Sequence, residues 1–354
     1  MLNDDRPRTN NVRGIRESCK SSEVTAYGIP MLEPALSVVI PTFNRTPELH
    51  ICLDGFAHQE GVSNDDFEIL IIDDGSTEDV QSVVHQFQGR VNVHLLRTGH
   101  GGAGAARNAG LKHARGSLII LYDDDARPTP DLIAYCLDFH RKHPGEEDMA
   151  LLCFTPDIAF GKSPFERWAF ETIYPFPKEP GIYGWSRFWA GTLTLKKSVF
   201  RYGEFDPAFP MVEDLELGLR LQDSLGLRIH YEPRSYGTFS RGLTLPQICK
   251  RQYTCAYFVY RIVEKRGRPD DFMWKPYHAP QKYVVTDTQR LRTMASIARS
   301  FDERRHAEQS KVVTPAIRGL FSALEMHCLA TGWITAREGL PLDPAQDLES
   351  LLKH

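Results

Sequence analysis

The sequence predicts an α/β fold: an open, mostly parallel sheet with helices crossing over between its strands. Three observations carry this. Between residues 36 and 121, short apolar runs alternate with segments of helical spacing in the order β-α-β-α-β-α-β. Most of the runs are apolar at nearly every position, as strands buried on both faces require. Polar residues recur where the runs end, at Thr42–Arg45, Asp73–Ser76 and Asp123–Asp125. Parallel topology places those ends on one rim, where open α/β sheets bind their ligands.

In order, residues 1–33 are polar and rich in Arg, Asn and Ser, and read as a mobile arm. Leu36–Ile40 is a β-branched strand that Pro41 should end. Glu48–Gln59 sets Leu49, Cys52, Leu53 and Phe56 on one helical face. Phe67–Ile72 reads as a second strand, Val80–Phe87 as a helix, Val91–Leu96 as a third strand and Ala103–Ala114 as a third helix. After the Arg115-Gly116 turn, Leu118–Leu121 forms a strand that stops at Asp123, Asp124 and Asp125. Adjacent carboxylates repel one another and are most easily kept with a counter-charge. A hard cation such as Mg²⁺ or Mn²⁺, itself holding a substrate phosphate, would supply it. The plain alternative is a solvated acidic turn.

At 354 residues the chain has room for one large domain with an appendage, or for two domains. A net charge of −4 shows none of the basic footprint of a nucleic-acid binder. The seven cysteines are scattered, odd in number and without CxxC spacing, which predicts reduced thiols in the cytoplasm. No apolar run approaches the ~18 residues of a membrane span. The expectation is a soluble protein that at most leans on the inner face of a membrane.

Gly99-His-Gly-Gly-Ala-Gly104 matches the dinucleotide fingerprint G-x-G-x-x-G, which would suit an NAD-dependent Rossmann enzyme. That fingerprint belongs in the first βα turn and this one lies in the third, so the glycines read better as a loop passing close to a nucleotide. Arg107 and Asn108 follow on the helix, placed to meet a phosphate or a base.

LSVVIPTFNR (36–45), FEILIIDDGS (67–76) and GGAGAARNAGLKHARGSLIILYDDDARPTPDLI (101–133) together resemble, in order and spacing, the family 2 glycosyltransferases of GT-A fold. The resemblance implies a nucleotide-sugar donor, usually a UDP-sugar, bound with Mn²⁺ or Mg²⁺. It implies that Pro41 and Thr42 line the nucleoside pocket, that Asp74 with Asp73 contacts base or ribose, and that Arg107 sits near the nucleotide. Asp123–Asp125 would be the D-x-D element, with Asp125 and Asp123 toward the metal and Asp123 and Asp124 toward the nucleotide sugar. Asn44, Arg45, Gly102 and Trp189 complete the implied donor set.

In the second half, Glu213-Asp214 opens a helix carrying Leu215, Leu217, Leu219, Leu221 and Leu225. The pair resembles the family's acceptor-side acidic motif. The helix dipole should favour the ionised form, so that one carboxylate, Asp214 ahead of Glu213, serves as general base. Trp185 and Trp189 could stack on a sugar, although such aromatics are more often core. His230 and His278 are isolated. Arg241, Lys250, Arg251 and Arg261 either neutralise a diphosphate or solvate a helix face. The family's processive polymerases often carry Q-x-x-R-W; here Gln247-Ile-Cys-Lys-Arg251 has no Trp. The predicted organisation is a donor half (34–135), an acceptor half (136–245) and a mainly helical extension (246–354) with helices at Pro315–Leu329 and Asp347–Leu352; residues 265–310 read as partly irregular. The implied reaction is inverting, non-processive transfer to the hydroxyl of a glycan, lipid, protein or small molecule. A catalytically silent nucleotide-sugar-binding scaffold is the alternative, and oligomeric state stays open.

Overall fold

The computed structural model describes residues 33–153, 168–169, 172, 177, 179–233, 238–239, 244–267, 278–303 and 315–352. The arm at 1–32 and Arg241 lie outside the described residues. The centre is an eight-stranded sheet. Its strands are β1 (Leu36–Thr42), β2 (Phe67–Asp73), β3 (Val93–Arg97), β4 (Leu118–Tyr122), β6 (Met149–Leu152), β7 (Gly181–Tyr183), β8 (Thr192–Lys196) and β9 (Arg228–Tyr231). The spatial order is β3-β2-β1-β4-β8-β6-β9-β7, while β5 (Ala126–Arg127) pairs with β10 (Thr238–Phe239) in a separate ribbon. The first four strands are parallel; β8 runs antiparallel to both β4 and β6. The α/β class and the mostly parallel sheet are as expected.

One boundary differs. Pro41 does not end β1, which continues to Thr42 with Pro41 opposite Ile72 of β2. On its other side the β4 ladder stops at Val39, so the missing Pro N–H breaks no pairing there.

Alternate side chains of each strand enter different cores. Val38, Ile40, Ile69 and Ile71 pack under α1 (Thr46–Phe56), α2 (Val80–His85) and α4 (Leu132–Lys142). Val39, Leu70 and Ile72 pack under α3 (Gly102–His113) and α5 (Glu213–Leu225). Gly110 lets α3 lie directly on the sheet, since a Cβ there would come 2.5 Å from Val39 and 3.1 Å from Ile72.

The C-terminal extension is helical: α6 (Leu245–Arg266), α7 (Thr288–Glu303), α8 (Pro315–Arg337), α9 (Pro344–Asp347) and α10 (Glu349–Leu352). α6 is one helix of 22 residues opened by a Thr244/Gln247 capping box. α7 occupies part of the stretch that reads as irregular, because its apolar face (Leu291, Ala295, Ala298) meets the bundle core. Gly332 of α8 lies against the Tyr253 carbonyl of α6, a contact no Cβ could share. Gln252 donates to Glu325 at 2.5 Å and the Tyr253 hydroxyl to Asp347, tying α6 to its neighbours. Among the described residues no helix is long and apolar enough to cross a membrane.

Candidate active site

A cleft of about 350 Å³ opens at the C-terminal ends of β1, β2 and β4, within the range of small-ligand sites. Of the residues singled out above, Pro41, Thr42, Arg45, Asp74, Arg107, Asp123, Asp124, Asp125, Trp189, Glu213 and Asp214 all line it. The strand tips supply one rim of the cleft because their apolar bodies are locked in the sheet, leaving only the ends polar.

The acidic triplet has two different environments. Asp124 is buried; it accepts from the Thr42 hydroxyl at 2.7 Å and from Arg45 at 2.9 Å. Burial raises its pKa, and Arg45 and Thr42 only partly offset that rise. Asp123 and Asp125 stay partly exposed; Arg107 holds Asp123 at 2.8 Å and Arg45 reaches Asp125 at 3.3 Å. The protein therefore brings two arginines to the triplet as counter-charge, the role the sequence suggested for a divalent cation. Even so, six carboxylates and three arginines line the cleft, so it remains short of positive charge. Among the described residues no group of three or more His, Cys, Asp or Glu is arranged to hold a metal by itself. Asp125 and Asp123 fit an ion that also takes phosphate oxygens and water, the usual manner of Mg²⁺.

Three expected donor residues sit just outside the lining. Asn44 adopts φ 52° and accepts from the Thr77 backbone N–H at 2.8 Å, joining the β1 and β2 ends. Asp73 is buried and accepts from the Ser76 N–H at 2.8 Å. Gly102 gives its N–H to Asp74 at 2.9 Å, and Gly101 gives its own at 2.8 Å. The loop donors that a dinucleotide fingerprint would offer to pyrophosphate are thus committed to Asp74. Asn108 is also committed: its amide exchanges hydrogen bonds with the Phe205 backbone at 2.8 and 2.9 Å.

Opposite the rim, Val212, Glu213 and Asp214 begin α5. Val212 is left-handed at φ 58°, an outlier for a β-branched residue. Glu213 pairs with Arg107 at 2.6 Å. Asp214 is half-buried at its surface yet closely surrounded by protein, and it accepts from the Leu215 N–H at 2.8 Å. Burial, then the neighbouring Glu213 charge, push its carboxyl up to about 7, with Arg107 opposing. The helix dipole does not keep it as acidic as the sequence suggested, because desolvation and like charge outweigh a terminal dipole.

Trp189 lines the cleft, whereas Trp185 belongs to the core. Gly191 permits the Trp189 fold: a Cβ there would lie 2.5 Å from the indole and 2.8 Å from an Asp123 oxygen. Arg251 and Cys255 of α6 close the wall, the Cys255 thiol pushed up to about 11 by burial. Lys250 and Arg261 are exposed on the helix surface. His230 pairs with Glu232. The sequence reading missed Phe43, Pro210 and Met211 in the lining. Phe43 stacks on His100 with ring centroids 4.2 Å apart, and an aromatic between two named tip residues was its signal.

The chain is 36% identical over 97 residues to hyaluronan synthase of Pasteurella multocida, covering 27% of this chain and 10% of that one. It is 29% identical over 217 residues to validoxylamine A glucosyltransferase of Streptomyces hygroscopicus, covering 53% of this chain and 51% of the relative. The chain thus spans about half or less of the curated relatives it matches. Among solved structures, S. aureus TarS 1–349 in complex with UDP superposes with a TM-score of 0.50 at 17% identity, covering 87% of this chain and 93% of that one. Mannosyltransferase PcManGT of Pyrobaculum calidifontis, in complex with GDP-Man and Mn²⁺, gives 0.54 at 17% identity, covering 86% and 87%. These likenesses show the GT-A fold. Residues 37–189, which carry the rim at the strand ends, match the model of glycosyl transferase family 2, and over that stretch the chain is similar to that family.

Proposed function

We propose that the protein transfers a sugar from a nucleotide-sugar donor, a UDP-sugar first among them, to an acceptor hydroxyl, with inversion and without processivity. The observation that carries this reading is the facing of two carboxylate sets across one cleft: Asp123–Asp125 on the strand rim and Glu213–Asp214 on α5. Asp214, held near neutrality, takes the acceptor proton. The acceptor oxygen attacks the anomeric carbon as the bond to the diphosphate breaks on the opposite face, and the nucleoside diphosphate leaves with the electron pair. Arg45, paired with Asp124 and close to Asp125, brings positive charge to that side. Asp125 and Asp123 are the residues that would hold Mn²⁺ or Mg²⁺, whose charge would offset what negative charge remains. The names of the structural neighbours, with UDP in one and GDP-Man and Mn²⁺ in the other, support a nucleotide-sugar donor and a divalent cation. Six free, buried cysteines among the described residues fit a reducing cytoplasm.

Thermal unfolding with UDP, GDP or NAD, each with and without Mn²⁺, tests the donor half. At a hundredfold excess over Kd, a ligand of the folded state adds about 2.7 kcal/mol. The expected result is stabilisation by UDP that requires Mn²⁺ and disappears in Asp125→Ala. A GDP-selective response would change the donor nucleotide, and a response to NAD alone would overturn the reading.

A further inference from the structure

Arg107 lies on α3 at the floor of the cleft, only 4% exposed. One arm of its guanidinium donates to Glu213 at 2.6 Å and the other to Asp123 at 2.8 Å. Its flat face stands over Phe205, with the carbon 5.6 Å from the ring centroid. Its Nε is buried and has no hydrogen-bond partner among the described residues. One turn earlier, Gly104 lets α5 approach closely, since a Cβ there would sit 3.3 Å from Glu213 Cγ and 3.2 Å from Phe205.

A rigid planar fork that serves two carboxylates sets the distance between them; an ammonium, a point charge on a flexible stem, does not. Here the two carboxylates come from opposite walls. Asp123 belongs to the rim at the end of β4, and Glu213 immediately precedes Asp214 on α5.

We propose that Arg107 is a positioning residue that ties the donor rim to the acceptor wall, holding Asp214 at a fixed place relative to Asp123. This rests on the transferase reading above. Arg107 itself need not touch substrate. Its fork transmits the position of one wall to the other, so losing the fork while keeping the charge should misplace the base without emptying the donor site.

The test is Arg107→Lys in the full chain, compared with the wild type by kcat, donor KM and Kd for UDP with Mn²⁺. The expected result is kcat lowered 10- to 100-fold, with KM and Kd within threefold. Wild-type kcat in R107K would show that charge alone suffices and would overturn the proposal. Equal losses in kcat and UDP affinity would do the same. Should R107K not fold, Glu213→Gln gives the second reading: lowered kcat at unchanged UDP affinity supports the bridge, and unchanged kcat removes it.

A thermal double-mutant cycle of Asp123→Asn and Glu213→Gln needs no substrate. The two changes should be non-additive in the Arg107 chain and additive in the R107K background; additivity in both overturns the bridge. A wild-type chain that transfers no sugar would sink the transferase reading, and this cycle would still decide the role of Arg107.

Discussion

The two walls of the cleft are built in different ways. On the side proposed for the donor, Thr42, Asp74 and Asp123–Asp125 sit at the ends of parallel strands whose bodies are almost entirely buried. Each tip is placed by its own short segment, and the ladder holds neighbouring tips in register. On the side proposed for the acceptor, Glu213 and Asp214 follow a strained Val212, while Arg251 and Cys255 come from α6, which is gripped by α8 and α9. The family match ends at residue 189, before any of these. A wall of strand ends is positioned locally; a wall of helix starts depends on everything packed behind it.

The sharpest test of that difference is Asp214→Asn. Losing a general base should lower kcat about 10²- to 10⁴-fold. Donor affinity, which belongs to the other wall, should stay within threefold. A parallel loss of UDP binding would mean that the walls do not divide the work. The wild-type pH profile reports on the same group. As the proposed base, Asp214 acts only when deprotonated, and burial with the neighbouring Glu213 charge pushes its carboxyl up to about 7. Below that pH kcat should fall tenfold per unit, and above it level off. A flat profile from about pH 5.5 to 8 would assign the base elsewhere, since a group with a pKa near 7 must titrate within that window.

A smaller effect is expected behind the acceptor wall. Burial raises Glu325 from 4.5 to about 7, although Gln252 donates to it. A carboxyl whose folded pKa is raised costs stability when ionised: the cost is absent below pH 4.5, grows between 4.5 and about 7, and is complete above. Glu325→Gln keeps the hydrogen-bond acceptor and removes that cost. It should stabilise the chain at pH 8 by something on the order of 3 kcal/mol and leave it nearly unchanged at pH 4. Its UDP-dependent stabilisation should match that of the wild type. An equal change at both pH values would rule out ionisation as the cause.

The smallest effect is expected for Val212→Gly. Relief of the left-handed strain, about 1–3 kcal/mol, opposes the lost burial of the Val side chain, itself about 1.5–3 kcal/mol. The melting temperature should therefore shift by only a few degrees, while kcat falls several-fold as the start of α5 loosens. A large drop in stability with normal kcat would mean that Val212 serves packing alone.

Much of the donor wall is legible in the chain. Alternation of apolar runs with helical spacing locates β1, β2, β4 and the helices between them, because buried strands and amphipathic helices leave opposite periodicities. Pro41 shows the limit: whether a proline ends a strand depends on which neighbour pairs at that position, a fact of the sheet and not of the segment. Asn44, Asp73 and Gly102 resemble binding residues by position, yet their polar groups are spent on neighbouring backbone, because only the folded tips reveal who needs a partner. Phe43 was passed over beside them for the same reason.

By itself the sequence determined the α/β class, the order of the first strands and the segments whose ends carry acidic chemistry, since these follow from local periodicity and topology. Only the tertiary structure decided that Arg45 and Arg107 supply counter-charge to the triplet, that the Asp214 carboxyl rises to near neutrality, and that Arg251 reaches the cleft. Each of these depends on burial and on charges brought together from distant segments, and electrostatic energies are set by distance and desolvation rather than by position along a chain.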